Sequence, residues 1–393
     1  MMIINEAHRL SDISEYYFSQ KLQQIALMNR AGLSVINLGI GSPDMPPPPD
    51  VVAELSAWAA LPTVHGYQSY RGLPELRQAI ADWQLKIYQT RHEPETDILP
   101  LIGSKEGIMH ISQAFVDAGD TVLLPNPGYP TYGAVSRIVG AVVKTYGVYA
   151  DNAAPAPIDI AEIADLCDER TKILWLNTPN MPTGVEIDLD TMQQLVDLAR
   201  QRRFLIVNDN PYSTILTHTH RSIFQCRGAE EVCLELNSLS KSHNMAGWRV
   251  GWVLGHRDLI NSVLKVKSNM DSGMFLPLQK AAAKALQTDT QFIADMNHIY
   301  KGRQRAAWRI LETLDCVYNT ERGGLFVWAK MPASANMNAI DFCDKILQDY
   351  RVFITPGSIF GSNGEGYVRI SLCSSEEVLA AALDRIRTGI VDS

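Results

Sequence analysis

The sequence has no apolar run near the ~20 residues that a helix needs to cross a bilayer, and it has no excess of positive charge. Lysine and arginine total 35 against 43 aspartate and glutamate, a formal net charge of −8. The basic residues are scattered, so nucleic acid is not an expected partner. Cysteine is sparse: Cys167, Cys226, Cys233, Cys316, Cys343 and Cys373 stand far apart and form no CxxC pair, as expected of reduced, mostly structural thiols. The stretch from Met1 to Leu22 mixes charges and aromatics and lacks a signal-peptide core, so the expected location is the cytoplasm. No repeat or low-complexity tract is present beyond Pro46-Pro47-Pro48-Pro49. Two motifs are incomplete. Gly39-Ile40-Gly41 starts like a dinucleotide fingerprint, but no third glycine follows and prolines replace the helix. His218-Thr219-His220 lacks a third ligand, so no metal is expected.

What is there is an ordinary globular composition, 46% hydrophobic and 20% charged over 393 residues, enough for two domains. Asp50 reads as the N-cap of a helix to about Ala60, Pro74 opens one to about Thr90, and Ser104 caps one that stops near Gly119. The pattern then alternates. Strand-like Thr121–Leu124, Ala141–Tyr146, Lys172–Leu176, Phe204–Asn208 and Val232–Leu236 are separated by helical stretches such as Ile158–Cys167 and Asp190–Gln201. Such alternation predicts an α/β fold, a largely parallel sheet between helices. After Pro277 a long helical stretch runs from Leu278 to about Leu314. Strands at Leu325–Lys330, Val352–Thr355 and Tyr367–Leu372 follow, with helices near Ala339–Tyr350 and Ser375–Arg387. The expected division is a large domain over 46–280 and a smaller α/β domain over 281–393, joined by the N-terminal 1–45.

The most specific chemistry lies in Ser238-Leu239-Ser240-Lys241-Ser242-His243-Asn244-Met245-Ala246-Gly247-Trp248-Arg249. A partly desolvated lysine beside other cations is a good nucleophile and forms Schiff bases. The hydroxyls and Arg249 suit a phosphate dianion. A Schiff-base lysine with a phosphate cradle is what pyridoxal phosphate requires. The stretch falls between the strand-like Val232–Leu236 and the strand-like run from Arg249 to Leu254, in a connection where sites commonly lie.

Other candidates sit at the ends of expected strands, where open α/β sheets bind ligands. Asp209, in Asp209-Asn210-Pro211-Tyr212, suits a protonated pyridine nitrogen, and Tyr212 a donor to the ring phenolate; alone, the motif reads as a turn. Ser104 and Lys105 open a helix whose free N–H groups suit phosphate. Tyr129 suits stacking on a planar ring. Arg369 lies in the apolar strand Tyr367-Val368-Arg369-Ile370-Ser371, which implies a carboxylate partner, structural or substrate.

Taken together, these residues resemble the class I/II aminotransferases of fold type I, enzymes that use pyridoxal 5'-phosphate, over nearly the whole chain. The most specific part of the likeness is S-x-S-K followed by G-W-R-x-G. The resemblance implies that Lys241 carries the cofactor and moves the proton at the substrate α-carbon. It implies that Ser238, Arg249, Ser104 and Lys105 hold the phosphate, that Asp209 pairs with the pyridinium, that Tyr212 bonds the phenolate and that Tyr129 stacks on the ring. Arg369, helped by the backbone at Gly41, takes the substrate carboxylate. Tyr67, five residues before Gly72, matches a tyrosine that reaches the neighbouring subunit's phosphate, which implies a homodimer with shared sites. Gly103–Gly107 and Lys267–Phe275 are similar to the branch with LL-diaminopimelate, alanine and related aminotransferases. There Lys105 also suits a distal substrate carboxylate, and Asn269 the cofactor or substrate. One position departs from the pattern: Met181-Pro182-Thr183-Gly184 stands where the family reads Asn-Pro-Thr-Gly, and a thioether cannot donate the hydrogen bond that the asparagine gives the phenolate. The adjacent Asn180 is expected to point elsewhere.

The implied function is amino transfer between an amino acid and a 2-oxo acid. A β-lyase or other α-carbon elimination on the same cofactor shares the Schiff-base step and is the alternative. The ligand-sensing half of a DNA-binding regulator is a third reading, disfavoured because too few residues precede Gly39 for a winged helix.

Overall fold

In the computed structural model, which describes residues 4, 6–11, 13, 17–150 and 156–389, the strands in chain order are β1 (Ile36–Asn37), β2 (Ile98–Leu101), β3 (Thr121–Asn126), β4 (Val142–Gly147), β5 (Thr171–Asn177), β6 (Leu205–Asp209), β7 (Cys233–Ser238), β8 (Gly251–Gly255), β9 (Val317–Tyr318), β10 (Phe326–Lys330), β11 (Val352–Phe353), β12 (Thr355–Pro356) and β13 (Tyr367–Ser371). Seven of them form one sheet in the order β2-β8-β7-β6-β5-β3-β4. From β7 through β6, β5 and β3 to β4 every pairing is parallel, while β8 runs antiparallel to both β7 and β2. The fold is therefore α/β with a mixed, mostly parallel sheet. Both of its faces are covered. Along β5, Ile173 and Trp175 enter one apolar cluster, and Leu174 and Leu176 the other. A parallel strand needs this two-faced burial, and its near-continuous apolar sequence supplies it.

This arrangement brings the carboxyl ends of β2, β3, β5, β6 and β7 to one edge, together with the start of β8. The connections leaving that edge carry the chemistry-bearing residues, as expected for an open α/β sheet.

A second, smaller α/β part contains the antiparallel sheet β12-β13-β10-β9. The pair β1 and β11 ties the N-terminal segment to it. Its apolar cluster includes Phe326, Val368 and Ile370 from the sheet with Ile310 and Leu379 from flanking helices.

Several local expectations are corrected. The helix expected to have Asp50 as its N-cap begins two residues earlier, with Pro48 at the cap and Pro49 and Asp50 in its first turn. Ser104 is not a cap: Gly103, at φ 78°, holds that position and Ser104 is the first helical residue. The stretch from Leu278 to Leu314 is two helices, Leu276–Leu286 and Thr290–Thr313. The break is set by Asp289, whose carboxylate accepts from the Gln291 N–H as an N-cap. Arg249 does not begin a strand; its backbone is left-handed (φ 58°), and β8 starts at Gly251.

Candidate active site

A cavity of about 750 Å³ opens at the carboxyl edge of the large sheet, facing β10 and β13. Gly41, Ser104, Lys105, Tyr129, Asp209, Tyr212, Ser238, Lys241, Arg249 and Arg369 all line it, so the structure brings together ten of the twelve residues singled out from sequence. The other two lie elsewhere. Asn269 sits exposed near the end of the helix Arg257–Met270, where its amide donates to Lys265 O at 2.8 Å; helix geometry turns it outward. Tyr67 is 95% exposed and does not reach this chain's cavity.

Lys241 occupies a single helical turn, Leu239–Ser242, capped by Ser238 at the end of β7. The Ser238 hydroxyl accepts from the Ser240 N–H at 3.1 Å, which fixes the direction of the turn. The Lys241 ammonium donates to Gly41 O at 2.6 Å. Burial lowers its pKa below the usual lysine range; Cys373 opposes this, and Arg369 and Arg249 add to it. A lysine so placed gives up its proton more readily and becomes a nucleophile.

Arg249 donates to Ala246 O at 3.0 Å and lies against Gly103. A side-chain Cβ at Gly103 would fall 2.2 Å from Arg249 Nη2, so only glycine lets the guanidinium close over the start of the helix Ser104–Phe115. Guanidinium and helix N–H groups thus converge, a combination that binds phosphate.

Asp209, at the end of β6, is buried. Tyr132 donates to its Oδ2 at 2.7 Å, while Oδ1 is buried with no hydrogen-bond partner among the described residues. Burial raises its pKa to about 6, with the Tyr132 hydrogen bond opposing. A carboxylate oxygen left unsatisfied in a cavity wall calls for a cationic donor from a ligand. Asn177, at the end of β5, donates to Asp209 O at 2.6 Å and accepts from Met181 N at 2.6 Å. Tyr132 stacks on Trp175 at 4.9 Å and meets Tyr129 edge-on at 5.4 Å. Both Tyr132 and Asn177 line the cavity and were missed from sequence. The only available signal was their position just after or at the end of a strand.

Arg369 projects from β13 into an aromatic enclosure. Its guanidinium carbon lies 4.0 Å from the Phe326 ring centre, 4.7 Å from Phe360 and 5.5 Å from Phe18. It donates to Gly39 O at 2.6 Å and to the Met181 sulfur at 3.3 Å. Gly41 is forced by the same packing, because a Cβ there would fall 2.4 Å from Phe326 Cζ. The carbonyls of Gly39 and Gly41 therefore dock the two central cations. This segment is itself clamped by Arg303, whose two terminal nitrogens reach the Asp44 carboxylate at 2.6 and 2.9 Å. Asn180 turns away from the cavity, accepting from the Thr183 hydroxyl at 2.8 Å.

A group of metal-ligand type, Glu106, His110 and Asp271, lies outside the cavity. The Lys267 ammonium stands between its carboxylates, 3.2 Å from Glu106 and 2.6 Å from Asp271, and supplies the positive charge a metal would bring.

A lysine, an unsatisfied carboxylate and a guanidinium over a helix start, all at the carboxyl edge of a mixed sheet, define a class of proteins: enzymes that hold pyridoxal phosphate. The residues present fit that cofactor, since the Asp209 oxygen and the Gly103–Arg249 cradle are matched by its pyridinium and phosphate. The family model "Aminotransferase class I and II" matches residues 34–386, and the chain belongs to that family of pyridoxal-phosphate enzymes. It is 36% identical over 386 residues to an LL-diaminopimelate aminotransferase of Moorella thermoacetica, covering 98% of each chain. It is 37% identical over 383 residues to one of Oleidesulfovibrio alaskensis, covering 97% of this chain and 98% of the relative. Among solved structures it is similar to substrate-bound BacF from Bacillus subtilis, with a TM-score of 0.91, 32% identity and 98% coverage of both chains. It also matches N-succinyldiaminopimelate aminotransferase from Mycobacterium tuberculosis, with a TM-score of 0.90, 26% identity and coverage of 97% and 99%. The chain is an aminotransferase, moving an amino group between an amino acid and a 2-oxo acid; the lyase and regulator readings fall away.

Proposed function

We propose that Lys241 both carries the cofactor and serves as the base and acid at the substrate α-carbon. The observation that carries this reading is the convergence, in one cavity, of Lys241, the unsatisfied Asp209 oxygen, Arg249 over Gly103, and Arg369. When bound, pyridoxal phosphate supplies an electron sink that makes the α-carbon proton removable. Asp209 would keep the pyridine nitrogen protonated. Arg249, Ser238 and the helix start at Ser104 and Lys105 would hold the phosphate. Tyr129 would lie against the ring, and Tyr212 would donate to its phenolate oxygen. Arg369 binds the substrate carboxylate in an aromatic enclosure where a charge-assisted pair is strong, and the backbone at Gly41 flanks it. Lys241, its proton held loosely by burial, would then take the substrate's α-proton on its Nζ and act as the acid that delivers it onward.

The unit in this reading is a homodimer in which Tyr67 serves the partner's site. Exposure of Tyr67, Tyr70, Met270 and Phe275 supports it, as does the backbone bridge between Gln68 and Gly273 that holds the two segments side by side. The same reading divides the chain into a large domain over 46–280 and a small one of 1–45 with 281–393. Support comes from the large sheet falling within 98–255 and from the pairing of β1 with β11. Among the described residues no helix is long and apolar enough to cross a membrane, in keeping with a cytoplasmic enzyme acting on small molecules.

The test is a half-reaction. An amino acid added to cofactor-loaded protein should yield pyridoxamine phosphate and the matching 2-oxo acid, both read by chromatography. Lys241→Ala should lose the lysine-bound cofactor absorbance and slow turnover by roughly 10²-fold or more, the value of general acid–base catalysis. Normal turnover by that variant would overturn the assignment.

A further inference from the structure

We infer that the preferred amino donor carries an apolar side chain, held by the N-terminal helix; this rests on reading the cavity as the transamination site. The helix Tyr17–Arg30 buries Phe18, Lys21 and Ile25 on one face. It is pinned at two points. Lys21 donates to Asp344 at 2.7 Å, and Ile25 packs with Leu347 and Phe353. Phe18 reaches over the Arg369 guanidinium and packs against Phe360 at 6.3 Å. Leu22 lies one turn further along the same face, the i to i+4 relation. It lines the cavity while 41% exposed, so a leucine side chain stands at the cavity wall incompletely covered by this chain.

Ile40 lines the cavity as well, beside the Gly39 carbonyl that docks Arg369. A substrate whose carboxylate sits on Arg369 therefore meets Phe18, Leu22 and Ile40, with only the neutral hydroxyls of Ser19 and Ser42 among them. Among the described lining residues the sole carboxylate is Asp209, at the sheet edge and bonded to Tyr132. Lys105, in the first turn of the helix Ser104–Phe115, and Arg249, which closes over that helix start, also line the cavity, and the proposed function commits both to the phosphate. An apolar tail gains by leaving water against such a wall. A tail ending in an ammonium or carboxylate loses hydration there without matching hydrogen bonds. The relatives named for LL-diaminopimelate take their name from a donor with both charges at its far end. A preference for apolar donors would set this chain apart from them.

Two measurements on the cofactor-loaded enzyme test it. In the first, kcat/KM is compared for leucine, phenylalanine and methionine against LL-diaminopimelate, glutamate and aspartate. The apolar donors should lead by roughly 10-fold or more, the scale on which a few methylenes discriminate in an apolar pocket. In the second, calorimetry compares unreactive carboxylates, and 4-methylpentanoate should bind more tightly than glutarate. Leu22→Glu, a change at a part-exposed position, should narrow or reverse both preferences. Faster turnover of LL-diaminopimelate or of a dicarboxylic donor than of every apolar donor overturns the inference and leaves aminotransfer standing. So does tighter binding of glutarate. If no donor of either kind yields pyridoxamine phosphate, the reading of the cavity is overturned and the inference with it.

Discussion

Asp209 is costly to the protein without its cofactor. Its carboxyl pKa is about 6 in the fold against an ordinary 3.8, raised by burial. The sign follows from linkage. Between those values the folded state binds more protons than the unfolded state, so stability falls as pH rises through the window and stays low above it. A shift of this size corresponds to roughly 3 kcal/mol. Asp209→Asn should therefore stabilise cofactor-free protein at pH 8 by up to about that amount, with little gain at pH 4. Cofactor affinity should fall at the same time. Denaturant unfolding at the two pH values checks the first part, and absorbance titration with pyridoxal phosphate the second. Arg369 is the complementary case, a cation among aromatic rings that the proposed function assigns to the substrate carboxylate. Arg369→Ala should cost roughly 2–5 kcal/mol in kcat/KM for amino acids, mostly through KM, with cofactor content unchanged; steady-state kinetics beside cofactor quantitation decides it. Arg369 was legible in the sequence, because an arginine in an apolar strand is conspicuous; Asp209, whose motif alone reads as a turn, became legible only beside the other motifs. The Met181 departure was legible too. Its contact with Arg369, 188 residues away, was not, because nothing local in the sequence encodes it.

Among the elements, the parallel strands of the large sheet and their helices were readable from alternation, and β2 was not. Pro100 sits inside Ile98–Leu101, and a proline argues against a strand. The rule yields because β2 is the outermost strand, paired on one side only, where a residue without an N–H is tolerated. The helix Arg257–Met270 also escaped notice, and with it the role of Lys267. That lysine is 1% exposed and joins this helix to Ser104–Phe115, the helix whose start lines the cavity. Burial alone would raise the Glu106 carboxyl. Hydrogen bonds from His110, Asp271 and the Ile102 N–H, with the Lys267 charge, bring it down to about 2 instead. Asp271 moves the other way, raised by burial and then by Glu106. Lys267→Met leaves two carboxylates facing each other without their cation and should cost about 3–5 kcal/mol at neutral pH. Because the folded Glu106 value lies below its ordinary 4.5, its stabilising contribution is complete above 4.5 and is lost as pH falls through about 2. The difference between wild type and variant should shrink over that interval in urea titrations. A variant as stable as wild type at pH 7 would mean that the network contributes nothing.

For the whole molecule, the question is why a tyrosine should stand 95% exposed beside other uncovered apolar residues. Single exposed apolar residues are ordinary, but Tyr67, Tyr70, Met270 and Phe275 come from two segments that the Gln68–Gly273 bridge holds together. Sequence gave the motif Tyr67 to Gly72 but not the patch, which exists only once residues near 70 and near 272 are folded against each other. In the proposed two-fold dimer such a patch would be buried against its own copy, and each chain would lend Tyr67 to the other's site. The consequence is separable by genetics. A Lys241→Ala chain keeps Tyr67, and a Tyr67→Ala chain keeps Lys241. In a mixed dimer, one of the two sites then combines an intact lysine with an intact tyrosine, and the other has neither. Random exchange makes half the dimers mixed, so about a quarter of wild-type sites should return when the two weakened variants are equilibrated at equal concentration. Subunit exchange is verified by mass spectrometry of differently tagged chains before activity is read. A fully active monomer in sedimentation, or no recovery after verified exchange, would place Tyr67 outside the partner's site and leave each chain to hold the cofactor phosphate with its own Arg249 and helix start.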